Sequence, residues 1–262
     1  MATRPVSRWM WKPRLSTAPR LRVFCLPYAG GAATIYRDWL NHMPSDVDVC
    51  PIQLPGRAER MGEAPMDEPS VLLDALHAAL APWLDRPFVV LGYSMGALIA
   101  HGWVHRMTPA QRALLQHLVV AACSAPDHPA HTDPDQMSRA EFIAHLRSLG
   151  GTPPEFFEHA ELMDLMLPLL EADFRLVAKW RTSFLGGRDH PLTCPIVALG
   201  ATHDTHALPQ QMARWSSYTA GEFRQASVPG DHFALWQQPH VLINAALHAT
   251  AASDMAGSAS PS

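Results

Sequence analysis

The chain has 262 residues, 48% of them hydrophobic, and a formal charge of −4 at pH 7. That length buries one sizeable core and favours a single domain with an insertion over two domains. A charge so small and so scattered argues against a nucleic-acid partner, and no apolar run reaches membrane-spanning length. Residues 1–20 are basic, with Arg4, Arg8, Lys12, Arg14 and Arg20, and lack the apolar centre of a secretory signal. They read as an N-terminal extension with Trp9 and Trp11 lying on the domain surface. The Ala/Ser-rich stretch 251–262 reads as a flexible tail. Cys25, Cys50, Cys123 and Cys194 are widely spaced, with neither a disulfide framework nor metal-ligand spacing, and read as buried free thiols in a cytoplasmic protein.

Leu21 to Leu26 is an apolar strand running into the glycine-rich loop Tyr28-Ala29-Gly30-Gly31. A helix over Ile35 to Asn41 and a strand over Val47 to Leu54 follow, and the strand ends in the turn Pro55-Gly56-Arg57. Pro69 to Leu84 places Val71, Leu72, Ala75, Leu76, Ala79, Leu80 and Trp83 at helical spacing. Phe88 to Leu91 is a short valine-rich strand that enters Gly92-Tyr93-Ser94-Met95-Gly96 and then a helix reaching about Met107. Strand, tight turn and helix with serine at the apex is the G-x-S-x-G nucleophile elbow of α/β-hydrolases. Its glycines remove side chains where strand and helix nearly touch.

Leu118 to Cys123 is the next strand. The alternation then breaks between Asp127 and Asp189. Ser138-Arg139-Ala140-Glu141 is a capping box opening a helix that Gly150-Gly151 ends. Thr152-Pro153-Pro154-Glu155 opens a short helix, and Glu161 to Trp180 is a long one, apolar around much of its circumference and bent at Pro168. Strands over Pro195 to Leu199 and Phe223 to Val228 restore the pattern, with helices over Pro209 to Tyr218 and Gln238 to Thr250. The expected fold is therefore α/β: residues 21–250 form a doubly wound, mostly parallel sheet, with a helical lid inserted at about 127–190.

In such sheets functional groups gather beyond the carboxyl ends of the strands. Those ends supply Ser94, Asp204 and His232 in the hydrolase order Ser…Asp…His. Ser94 is the candidate nucleophile, His232 the general base and then acid, and Asp204 the group that orients the imidazole. Asp231 adjoins His232, and neighbouring side chains diverge, so it is a poor orienter. His203 and His206 flank Asp204 without a third ligand at suitable spacing, so no metal is expected. An oxyanion hole needs two amides: Met95 supplies one and the first loop the other, Ala29 by choice with its neighbour Tyr28 as the alternative.

Beyond the elbow, ordered pieces of the chain resemble one family, the type II thioesterases that accompany polyketide and non-ribosomal peptide synthases. They are Phe24 to Gly31, Gln53-Leu54-Pro55-Gly56-Arg57, Gly92 to Ala97, Leu149-Gly150-Gly151-Thr152-Pro153, Leu167 to Phe174 and Gly230-Asp231-His232-Phe233. The resemblance implies hydrolysis of acyl groups from the phosphopantetheine arms of acyl or peptidyl carrier domains; no cofactor beyond that carrier-borne arm and a monomeric enzyme are the accompanying expectations. It also implies the same triad and a lid over an acyl pocket. Tyr28, Met163, Met166, Leu170 and Phe233 are the candidate substrate contacts; the insert's apolar residues either line that pocket or pack lid on core. Arg57 either faces a phosphate or holds its turn. Two departures from the family pattern stand out: Tyr93 replaces a usual histidine, and His101 with Gly102 replaces an aromatic–acidic pair. The rival readings are a product-releasing or cyclising thioesterase, a general carboxylesterase, and a catalytically silent hydrolase fold.

Overall fold

The computed structural model describes residues 6–129, 132–151, 154–183 and 190–248. The expected tail 251–262, together with Ala130, His131, Thr152, Pro153 and residues 184–189 of the expected insertion, lies outside them. Six strands, β1 (Leu21–Leu26), β2 (Val47–Pro51), β3 (Phe88–Tyr93), β4 (Leu115–Ala121), β5 (Ile196–Ala201) and β6 (Phe223–Val228), pair in the order β2-β1-β3-β4-β5-β6. Every pairing is parallel. The helices are α1 (Trp39–His42), α2 (Pro69–Leu80), α3 (Met95–Arg106), α4 (Pro109–Arg112), α5 (Arg139–Leu149), α6 (Ala160–Ser183), α7 (Pro209–Ala213), α8 (Ala234–Gln237) and α9 (Pro239–His248). None of the described helices is long and apolar enough to cross a membrane.

Strand alternation divides the core between the two faces of the sheet. Phe24, Leu26, Phe88, Val90, Leu118 and Val120 point to one face, where α2, α3 and Trp180 of α6 cover them. Val23, Cys25, Val89, Leu91, Val119 and Val197 point to the other, under Tyr36, Trp39 and Val241, Leu242 and Ala245 of α9. Both faces are dry, which is why these strands read as continuous apolar runs.

Several boundaries differ from the sequence reading. The helix expected over Ile35 to Asn41 is split into a 3-10 turn, Ala33–Tyr36, and α1. β4 begins at Leu115, and α6 runs from Ala160 to Ser183 with Pro168 inside it. Val71 is 53% exposed, and Leu73 takes its place in the buried face of α2. The N-terminal extension is also more than a surface strap. Met10 and Arg14 bridge antiparallel to Ile52 and Val49, so this segment covers the otherwise open edge of β2. Trp9 and Trp11, expected on the surface, are buried there; Trp9 stacks under the Arg60 guanidinium at 4.3 Å.

α5 and α6 lie between β4 and β5 in the chain. Ser138 and Glu141 form the expected capping box, and Gly150 ends α5 at φ 71°. Gly102 has its explanation here: a Cβ at this position would strike the Trp180 ring, so α6 seats directly on α3 through the glycine. His101 is fully buried beside Trp215, Tyr218 and His105.

Candidate active site

The site begins with backbone crowding. A Cβ on Gly92 would fall against the carbonyl of Gly96, and one on Gly96 against the carbonyl of Leu26. Only hydrogen fits at either place, and that closeness lets the chain reverse from β3 into α3 at Ser94, held at φ 50° and ψ −117°. Strain of this kind in a non-glycine residue is typical of functional positions.

β5 and β6 deliver the partners. His232 Nε2 lies 3.2 Å from Ser94 Oγ, and its Nδ1 lies 2.8 Å from Asp204 Oδ2. The other oxygen of Asp204 accepts the amides of His206 and Ala207 at 2.8 and 3.1 Å. Burial pushes the Asp204 carboxyl up, but the hydrogen bond and charge of His232 and the two amides outweigh it and hold the carboxyl below its ordinary value. With Asp204 ionised, the proton on Nδ1 is fixed and Nε2 turns its lone pair to Ser94. Asp231 is exposed and accepts the amide of Phe233 at 3.0 Å, and the imidazole Nδ1 is bonded to Asp204 instead.

Tyr93 has a clear place. Its hydroxyl donates to the carbonyl of His232 at 2.7 Å. Its ring stands edge-on to Tyr28 and His232. Burial raises the phenol, with Asp204 nearby adding to the effect, so it stays a neutral donor.

In the first loop Gly30 N–H donates to Asp173 at 2.7 Å and Gly31 N–H to the carbonyl of Tyr28 at 2.9 Å. Ala29 and Tyr28 are left as the loop amides without a protein acceptor among the described residues. Both line the cavity, as does Met95 at the first turn of α3.

That cavity holds about 120 Å³ and opens at Ser94 and His232. Tyr28 and Phe233 line it, as expected from the sequence. Met163, Met166 and Leu170 do not: they pack with Phe142, Leu146 and Leu167 inside the insertion, so the expectation that they form the acyl pocket is corrected. The inward face of α6 is instead Phe174, Val177 and Arg181, joined by Leu149 and His145 of α5. Their spacing of three and four was visible in the sequence, but α6 is apolar on several sides and periodicity did not say which faced the cavity. Sequence reasoning also missed the polar lining of Ser124, Thr132, His145 and Arg181, whereas His206, which joins them, stood among the strand-end groups. Arg57 faces no open cavity; it is buried against Asp173.

The thioesterase domain family matches residues 21–248. The gramicidin S biosynthesis protein GrsT of Aneurinibacillus migulanus is 35% identical over 91% of this chain and 92% of its own length. Among solved structures, RedJ, a thioesterase from the prodiginine biosynthetic pathway in Streptomyces coelicolor, superposes with a TM-score of 0.78 at 31% identity, covering 92% of this chain and 94% of that one. YbtT, a type II thioesterase from the yersiniabactin NRPS/PKS biosynthetic pathway, gives 0.78 at 29% identity, covering 88% and 94%. The chain belongs to the thioesterase family: it is an α/β-hydrolase acting on thioesters, similar to the type II thioesterases of NRPS/PKS pathways.

Proposed function

We propose that this enzyme removes short acyl groups from the phosphopantetheine arms of acyl or peptidyl carrier domains, clearing stalled or mis-primed chains. The observation that carries the reading is the unbroken chain Ser94–His232–Asp204 at the mouth of a small, lidded cavity. Ser94 Oγ attacks the thioester carbonyl while His232 Nε2 takes its proton and Asp204 stabilises the imidazolium. Ala29 and Met95 amides receive the oxyanion. The C–S bond breaks, the pantetheine sulfur leaves with the proton from His232, and an acyl ester remains on Ser94. Water then attacks that ester, giving its proton to His232, which returns it to Ser94 as the acid departs. Pantetheine enters as part of the substrate.

Cavity size supports short acyl groups as the part of the substrate held beside Ser94. About 120 Å³ is a little less than the ~150 Å³ that admits benzene. An acyl group of a few carbons fits within it. Intact-mass analysis of loaded carrier proteins tests the proposal. The free carrier and a linear acid should appear with the parent and not with Ser94→Ala, and short acyl groups should leave faster than long ones. Undiminished turnover by Ser94→Ala, or clear preference for an oxygen ester of the same acyl group, would reject it.

A further inference from the structure

Two motifs remain without a part in the chemistry: Gln53-Leu54-Pro55-Gly56-Arg57, and the Ala172-Asp173-Phe174 stretch of α6. They meet each other. Arg57 places Nη2 at 2.7 Å from Asp173 Oδ1 and Nη1 at 2.8 Å from Oδ2, a bidentate pair exposed by only 3% and 1%. Asp173 Oδ2 also accepts the amide of Gly30, while Arg57 Nη1 donates to the carbonyl of Gly31 at 3.2 Å. Gln53 closes the arrangement, accepting the amide of Ala33 at 3.1 Å and donating to the carbonyl of Arg57 at 3.2 Å. One turn before Asp173, on the same face of α6, Leu170 leaves no space beside the loop: a Cβ on Gly30 would lie 2.5 Å from Leu170 Cδ2.

We propose that α6 sets the oxyanion hole, with Asp173 as a positioning residue: the lid helix, through Asp173 and Leu170, holds the Tyr28–Gly31 loop so that the Ala29 amide points at the cavity. This rests on the reading of Ala29 as an oxyanion donor. Peptides are planar, so fixing the Gly30 N–H fixes the plane beside the one that carries the Ala29 N–H. Any lifting of α6 would take Asp173 from Gly30 and release the clamp on the loop. The hole is therefore complete only with the lid down. Removing one member of a buried ion pair strands the other charge, so the informative change removes both.

The test uses the full chain carrying Arg57→Leu with Asp173→Leu. Loss of an oxyanion donor outright costs about 10²–10³ in kcat, so a loop freed to move should lower kcat about 10- to 100-fold, with KM changed less than threefold. Affinity for an acyl trifluoromethyl ketone, whose Ser94 adduct puts an oxyanion in the hole, should fall in parallel. Asp135→Asn, which breaks the surface pair with Arg175 on the same helix, should leave both unchanged. A folded double variant with kcat and ketone affinity within twofold of the parent overturns the proposal. If that variant does not fold, Arg57→Lys keeps the charge and loses the fork, and an unchanged ketone affinity there overturns it equally. Fluorine NMR of the ketone adduct reads the hole without thioester turnover. A parent that forms the adduct yet hydrolyses no carrier thioester would defeat the substrate reading and leave this one standing.

Discussion

Ser94, Asp204 and His232 were readable because each follows a strand end, and strand ends are visible in apolar runs. Their contacts give an ordering that can be measured. Asp204 bonds Nδ1 while Asp231 is exposed, so Asp204→Asn should cost about 10⁴ in kcat, as the same change does in a serine-protease triad. Asp231→Asn should cost less than about fivefold; steady-state kinetics on an acyl-pantetheine thioester separate the two. Tyr93 was visible only as a departure, since its partner, the carbonyl of His232, lies 139 residues away and carries no sequence signal. Tyr93→Phe keeps the ring and strips the hydroxyl donor from the carbonyl of His232. An unsatisfied buried group costs about 1–3 kcal/mol, so urea unfolding should shift by that order, and kcat should fall about tenfold as the His232 backbone loses its tether.

At the scale of elements, the elbow was the most legible part and is the least tolerant. Gly92→Ala would press a methyl into the Gly96 carbonyl, which is backbone and cannot rotate away. That variant should be insoluble or lose fluorophosphonate labelling of Ser94; a soluble, fully labelled protein would contradict the packing described. The capping box of α5 was equally readable, and its value is ordinary: Ser138→Ala should cost about 1 kcal/mol, read as a small drop in melting temperature with kcat unchanged. Less legible was the direction each element faces. Helical periodicity marked α6 as amphipathic, yet only its seat on Gly102 and Gly30 decides that Phe174, Val177 and Arg181 look inward while Leu165 is 58% exposed. The N-terminal segment escaped for a similar reason. Bridges at Met10 and Arg14 depend on which strand of the sheet lies at the edge, and strand order is not written in any local pattern.

The whole molecule carries a pH dependence that follows from its buried histidines. Burial lowers His117 to about 4 despite its bond to the carbonyl of Ala245, and burial with neighbouring His105 lowers His101 well below its usual value. In the unfolded chain each takes a proton near ~6.5, so between there and the folded value the unfolded state binds more protons. Stability is therefore full above about pH 6.5 and is lost as pH falls towards 4; His117 alone accounts for about 3 kcal/mol across that window. Urea midpoints at pH 7.5 and pH 5 should differ in that direction, and equal midpoints would refute the burial assigned to these rings.

The four cysteines give the enzyme an experimental convenience. All are buried, and burial raises Cys123 to about 11, Cys50 and Cys194 to about 12, and Cys25 well above its usual value. Thiolates are the reactive form, so maleimides at neutral pH should pass the native protein by. A cysteine introduced at the exposed Leu165 would then be the only fast-labelling site in the chain. A single dye there reports the angle of α6 in real time, with no background to engineer away.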